Sequence, residues 1–159
     1  MKRLWIILLL CALLCGCASA PTFETLGEDI HQAVNTWKQT VVSVPEGAKE
    51  VACENGSYRV CDTFDLQVQT LPGGDLNATV HALSGYDASA LTVLTSGMGQ
   101  MVRYEWVWTA MSEAGQMLCR SLVLDDGAYH YCLTAIGPAE LGENLNSCWN
   151  DIFSSFGAV

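Results

Sequence analysis

Cysteine and histidine are among the residue types in this chain that could act as nucleophiles, metal ligands or redox groups. Eight cysteines are spread over the 159 residues, and the three histidines, His31, His81 and His130, lie far apart in the sequence. None of them falls in a pattern such as Cys-x-x-Cys or His-Glu-x-x-His, which would bring metal ligands together locally. We therefore predict no metal, no cofactor and no catalytic residue.

A thiol or hydrolytic enzyme is the remote alternative function. Cys148 and His130 could pair as a thiolate and its base. Only their residue types support such a pairing. Cys148 falls at the edge of an apolar helical stripe, where a buried and inert thiol is expected. The chain also lacks a Gly-x-Ser-x-Gly elbow and a phosphate-binding loop. We expect no enzyme activity.

The first residues have the three-part composition of an export signal. Lys2 and Arg3 precede an apolar run from Leu4 to Leu14, and small residues follow. The run is shorter than the roughly 17–25 apolar residues that a membrane span requires. The predicted organisation is a signal peptide over 1–16, a short tether over 17–24 and a single domain over 25–159.

Two cleavage sites compete at the end of this leader. Ala18-Ser19-Ala20 has the form of an ordinary export site, but Pro21 fits poorly after the cut. Leu14-Cys15-Gly16-Cys17 resembles the lipobox of bacterial lipoproteins, in which an aliphatic, a variable and a small residue precede the cysteine that receives a diacylglyceryl group. The resemblance implies cleavage before Cys17 and lipidation of its thiol. Acyl chains would then anchor the exported protein to a bacterial membrane, with the domain outside the cytoplasm.

The acidic composition limits the partners of the domain. Lys2 and Arg3 leave with the signal peptide, so five basic residues face 17 acidic ones and the formal charge is −12. Binding to nucleic acid requires clustered Lys and Arg, and here these residues are scattered. We exclude nucleic acid as a partner and expect an envelope protein or a small ligand.

Cys119 and Cys132 lie on two predicted strands that flank the turn residues Asp125-Asp126-Gly127. A four-residue loop, 124–127, would place the two cysteines directly opposite each other, whereas a three-residue loop would separate them. Exported proteins meet oxidising conditions, so we predict a cross-strand disulfide. In the chain-entropy model it would add about 3 kcal/mol to the free energy of unfolding.

A second disulfide is predicted between Cys53 and Cys61, on their spacing alone. Asn55-Gly56 between them is a strong hairpin signal, because both residues tolerate positive φ. A two-residue turn there would pair Cys53 with Tyr58 and direct Cys61 to the opposite face. The disulfide therefore requires an irregular loop, and both alternatives stay open.

Tyr104, Trp106 and Trp108 share one face of a predicted strand. Three aromatic rings in a row could stack on sugar rings or on an apolar ligand, which would make the protein a small-ligand or glycan receptor. The competing interpretation is that the row forms the core beneath a helix, because the amphipathic helices of the chain need an apolar surface to pack on.

The remaining pattern predicts three helices and a sheet. The capping box Thr25-Leu26-Gly27-Glu28 begins a helix that ends near Lys38. Asp75 and Gly85 delimit a second helix, and Pro138 opens a third. Strands are predicted at 40–44, 58–70, 91–95, 102–110, 117–124 and 129–136. Tight turns between successive strands indicate a mostly antiparallel sheet, and amphipathic helices must each bury a face on it. The fold class is α+β, with helices on both faces of the sheet.

Two segments of this pattern resemble PsbP-like and DcrB-like domains. Ser43-Val44-Pro45-Glu46-Gly47 is similar to their opening, a strand followed by Pro and Gly. The strand Tyr129-His130-Tyr131-Cys132-Leu133-Thr134 and the helix closing in Ile152-Phe153-Ser154-Ser155-Phe156 are similar to their ending. The resemblance covers about residues 40–156. It implies a PsbP-like α/β/α sandwich in a small exported lipoprotein without a demonstrated reaction.

Overall fold

Long runs of β-branched, aromatic and other apolar residues in the second half of the chain produce three long strands. These strands form the centre of a computed structural model describing residues 38–51 and 56–159. In chain order the strands are β1 (Thr40–Val41), β2 (Lys49–Val51), β3 (Ser57–Val60), β4 (Asp65–Pro72), β5 (Leu94–Met98), β6 (Met101–Ser112), β7 (Gly115–Asp125), β8 (Tyr129–Pro138) and β9 (Gly157–Ala158). The helices are α1 (Leu76–Ser84) and α2 (Gly142–Ser155), with 3-10 turns at Ala88–Ala90 and Ala139–Leu141. The helix predicted over 25–38 lies outside the described residues, apart from Lys38.

Seven of these strands form one antiparallel sheet in the order β2-β3-β4-β8-β7-β6-β5. After β4 the chain crosses one face of the sheet through α1, reaches the far edge at β5, and returns strand by strand to β8 beside β4. Strands β1 and β9 form a separate antiparallel pair. The predicted mostly antiparallel sheet is confirmed.

The two faces of the sheet carry separate hydrophobic cores. On one face, Leu122 and Leu133 pack against Trp149 and Phe153 of α2. On the other face, Trp106, Val123 and Cys132 pack against Val80 of α1. Each helix therefore buries its apolar stripe on its own side, and the predicted α+β sandwich is confirmed.

Helix α1 begins and ends where the sequence predicts. The carboxylate of Asp75 accepts a hydrogen bond from the Ala78 amide at 3.0 Å. Gly85 adopts a left-handed conformation with φ 76° and donates its amide to the carbonyl of His81 at 2.8 Å. These are the N-cap and C-cap interactions that satisfy the free backbone groups of a helix.

The strand predicted over 58–70 is wrong in one respect, because it is a hairpin of β3 and β4. The amide of Cys61 donates to the carbonyl of Phe64 at 2.9 Å and closes the turn between them. Since Tyr58 pairs with Gln67, Tyr58 lies on the α1 face, whereas Leu66 lies on the α2 face. Because of this turn, Tyr58 and Leu66, which appear in the sequence to share one face of a single strand, lie on opposite faces of the sheet.

The two-residue turn predicted at Asn55-Gly56 is also wrong. Val51 pairs with Tyr58, so six residues separate the paired positions. Gly56 instead allows its own backbone to approach β4 closely, because a Cβ at this position would overlap the carbonyl oxygen of Val68. Cys53 lies outside the described residues, and its disulfide with Cys61 stays a prediction.

The predicted cross-strand disulfide between Cys119 and Cys132 is wrong. The register of β7 and β8 places Cys119 opposite Ile136 and Cys132 opposite Val123, and both thiols are free. The cysteines share a face but are offset by four positions, about 13 Å at 3.3 Å per residue. A disulfide requires Cα atoms within about 7 Å.

The carboxylate of Asp126 sets this register by organising the loop between β7 and β8. It accepts hydrogen bonds from the amides of Ala128 (3.0 Å) and Tyr129 (2.8 Å). The Tyr131 hydroxyl donates to it at 3.0 Å, and Lys38 Nζ lies 3.7 Å away. Burial alone would raise the pKa of Asp126, but these donors and the lysine charge outweigh it and hold the pKa below its usual value.

Asp126→Asn is expected to lower the free energy of unfolding by about 1–2 kcal/mol at neutral pH, because the charge-assisted bonds are weakened. A depressed carboxyl pKa stabilises the fold above the unfolded-state value of about 3.9 and ceases to do so as pH falls through the folded-state value. The difference from the unaltered protein should therefore shrink below about pH 4. Urea unfolding at several pH values measures it.

Asp87→Asn is the matched control, since the exposed Asp87 side chain makes no capping hydrogen bond. Equal losses in the two variants across the pH range would contradict the role assigned to Asp126.

Candidate functional site

The aromatic row of β6 lies on the face that α1 covers. Trp106 is 1% exposed, and Tyr104 and Trp108 are half-buried within the same core. The indole of Trp108 donates to the Ser121 hydroxyl at 3.2 Å, and the Tyr86 ring packs edge-on against it at 6.5 Å. The row therefore belongs to the core beneath α1, and stacking of a ligand on Trp106 would require the helix to move.

Three polar residues meet under the same helix. Thr79 of α1 and His130 of β8 are both buried, and the Thr79 hydroxyl is 2.7 Å from His130 Nδ1. Nε2 of His130 lies 3.5 Å from a carboxylate oxygen of Asp125, the residue paired with it across β7 and β8. At that distance Nε2 has no hydrogen-bond partner among the described residues.

The Thr79–His130–Asp125 cluster combines the residue types of a nucleophile, a base and an orienting acid. Such chemistry requires that the three groups be correctly oriented and that a substrate can reach the nucleophile. Here Thr79 and His130 are 3% and 0% exposed, so a substrate cannot reach either residue without displacement of α1. What the cluster does in this structure is join α1 to the centre of the sheet through a buried hydrogen bond.

A second charged cluster lies on the α2 face. Glu105 accepts from Arg103 Nη2 at 2.9 Å and from Arg120 Nε at 2.6 Å. The guanidinium of Arg120 lies 4.5 Å from the centroid of the Phe153 ring and donates to Asn150 at 2.7 Å, while Arg103 donates to the Phe153 carbonyl at 3.3 Å. Both arginines thus bind the last turns of α2, where cations are stabilising.

The cysteines differ sharply in their surroundings. Burial raises the pKa of Cys119 to about 11 and that of Cys132 to about 12, so both are inert thiols at neutral pH. Cys148 is exposed, which corrects the expectation of a buried thiol. Cys148 and His130 are not brought together, because Cys148 lies on α2 and His130 faces α1 on the other side of the sheet.

An open groove of about 370 Å³ lies beside β3 and β4. Small-ligand pockets have volumes of roughly 300–1,000 Å³. Its charged side chain, Arg59, is 2.9 Å from Glu50 and so already has a counter-ion. The other lining residues are Thr40, Val41, Val42, Val44, Ser57, Leu66 and Val68.

Within residues 38–51 and 56–159, no group of three or more His, Cys, Asp or Glu side chains is arranged to hold a metal ion. His31, Cys53 and the predicted lipidation residue Cys17 lie outside the described residues. No helix in the described part of the chain is both long and apolar enough to cross a bilayer.

No family model matches the chain, and no curated protein matches it. Among solved structures it is similar to cyanobacterial PsbP from Synechocystis, with a TM-score of 0.57 and 11% identity over 77% of this chain and 93% of that one. It is also similar to a Bacteroides thetaiotaomicron protein, with a TM-score of 0.51 and 9% identity over 76% of this chain and 45% of that one. LpqN from Mycobacterium tuberculosis, a protein involved in cell envelope biogenesis, gives a TM-score of 0.46 and 11% identity over 76% of this chain and 83% of its own.

At these identities the likeness to PsbP concerns the fold alone. The chain has a PsbP-like α+β fold, as the segments beginning at Ser43 and at Tyr129 predict.

Thr79→Val tests the buried hydrogen bond under α1. The substitution keeps the shape of the side chain but leaves His130 Nδ1 without a partner in a buried site, which should lower the free energy of unfolding by about 1–3 kcal/mol. Thr79→Ser keeps the hydroxyl and should lose less. Chemical denaturation of both variants measures the difference, and a larger loss for Thr79→Ser would rule out the bond as the stabilising interaction.

Proposed function

We propose that the protein is an exported bacterial lipoprotein, tethered to a membrane through lipid on Cys17, whose PsbP-like domain has a non-catalytic binding or scaffolding role at the cell envelope. The observation that carries the proposal is Leu14-Cys15-Gly16-Cys17 at the end of a leader with a basic start and an apolar run. That order of residues matches the substrate of lipoprotein processing.

The contacts of the domain support a non-catalytic role. Thr79 and His130, which could do acid–base or nucleophilic chemistry, are buried, and Glu105 is held in ion pairs with Arg103 and Arg120. Each of these interactions fixes a helix to the sheet. They therefore stabilise the fold, and a substrate could reach the buried pair only if α1 left its place.

A receptor that uses Tyr104, Trp106 and Trp108 is a weaker proposal, because α1 covers the row. The groove beside β3 and β4 is the more accessible concave surface for a small ligand, and its apolar lining favours an apolar one. An envelope protein is the other partner class that we propose.

Cys17→Ser tests the lipid anchor, with Cys15→Ser as the matched control. In bacterial cells the unaltered protein and Cys15→Ser should sediment with membranes, whereas Cys17→Ser should lose most of its membrane association, because the thioether to the lipid cannot form. Two acyl chains hold a protein stably and one holds it only marginally.

The intact mass of the mature protein gives an independent measurement. We expect an N-terminal Cys17 that carries diacylglyceryl mass. An N-terminus at Pro21 without acyl mass, or membrane association unchanged in Cys17→Ser, would refute the lipoprotein assignment.

A further inference from the structure

Two parts of the chain line the groove beside β3 and β4. Ser57 and Arg59 of β3 pair with Val68 and Leu66 of β4, so the four side chains share the α2 face of the sheet. The segment 40–44 supplies the other lining residues, and three of these are valines. Apolar side chains from β4 and from this segment therefore form most of the lining.

The segment 40–44 is held in place by contacts with the rest of the domain. Its first two residues form β1, which pairs with β9. The amide of Ser43 donates to the Ser155 hydroxyl of α2 at 2.8 Å, and Val42 packs against the core beneath α2. The groove is therefore largely pre-formed, which lowers the entropic cost of binding a ligand.

Arg59 is the charged residue of the lining, and only one nitrogen of its guanidinium is engaged. Nη1 lies 2.9 Å from Glu50 Oε1 and donates to the Tyr58 carbonyl at 3.3 Å. Nε and Nη2 have no hydrogen-bond partner within residues 38–51 and 56–159. Because the side chain lines the groove and is 25% exposed, these two nitrogens are open to an anion there.

The ion pair with Glu50 leaves room for such an anion. Glu50 lies on the edge strand β2, and its side chain is 67% exposed. Exposed ion pairs are weak, because water screens both charges and the side chains lose entropy when they are held together. Glu50 should therefore weaken the binding of an anion at Arg59 without preventing it.

We propose that this groove binds a free fatty acid, with its carboxylate at Arg59 and its aliphatic chain over Leu66 and Val68. Nε and Nη2 lie along one edge of the planar guanidinium, so they can form two parallel hydrogen bonds with one carboxylate. The inference rests on the binding role proposed above and names the class of ligand. It does not depend on the lipid anchor.

The size of the groove and the charge of the protein favour a free fatty acid over a lipid of the bilayer. The volume of about 370 Å³ is near the lower end of the range for small-ligand pockets, which favours one aliphatic chain over two. With 17 acidic residues against 7 basic ones, the protein would also be repelled by an anionic bilayer.

The experiment measures the binding of decanoate and of its neutral analogue decanol by isothermal titration calorimetry at neutral pH. The full-length chain carries Cys17→Ser, so the measurement requires no detergent and is independent of lipid attachment. Decanoate should bind saturably and more tightly than decanol, because only decanoate has a charge for Arg59 to bind.

Two substitutions should change the affinity for decanoate in opposite directions. Arg59→Gln should weaken decanoate binding about tenfold, because the charge-assisted hydrogen bonds are lost. Glu50→Gln should strengthen it about two- to fivefold, because Arg59 loses its counter-ion. Decanol binding should be unchanged in both variants, which also shows that the groove is intact. Lys49→Gln is the matched control, since Lys49 precedes Glu50 but pairs with Val60 on the other face of the sheet.

Three results would overturn the inference. They are no saturable binding of decanoate, equal binding of decanoate with and without Arg59→Gln, or binding to phosphatidylglycerol vesicles in place of decanoate. Binding of decanol alone would refute the fatty acid and still leave the groove as an apolar binding site, so the failure of this inference is distinguishable from the failure of the proposed function.

Discussion

The alternation of side chains along β7 and β8 is the constraint on which the rest of the structure depends. Leu122 and Leu124 enter the core beneath α2, and Val123 between them enters the core beneath α1. The same strands therefore supply both cores. A shift of one residue in their pairing would exchange the two sets of side chains, so every helix contact depends on this register.

Elements were predictable where their signals are local. The Asp75 and Gly85 caps predicted α1, and long β-rich runs bounded by turn residues predicted β6, β7 and β8. Register was less predictable, because it depends on side-chain bonds within a loop. The carboxylate of Asp126 accepts the amides of Ala128 and Tyr129, which moves the β7–β8 loop by two positions from the expected place and separates Cys119 from Cys132.

For the candidate site residues too, the sequence predicts the features that depend on neighbouring residues and misses those that depend on residues distant in the sequence. Alternation places His130 on a face with Cys132, but only the path of α1 across the sheet reveals that Thr79 is the partner of His130. The exposure of Cys148 was not predicted because Trp149, beside it, takes the buried position.

The pairing of β1 with β9 has a mechanical consequence. The amide of Gln39 donates to the Val159 carbonyl at 2.8 Å, and the amide of Val159 donates back at 2.9 Å. A pulling force applied at Lys38 would be transmitted first to this short ladder and to the Tyr131 hydroxyl, which accepts the Lys38 amide. The two hydrogen bonds of this ladder and the bond to Tyr131 of β8 would therefore have to break before Lys38 could move away from the domain. A label fused after Val159 would lie beside residue 39 and would alter the hydrogen bonding between β1 and β9.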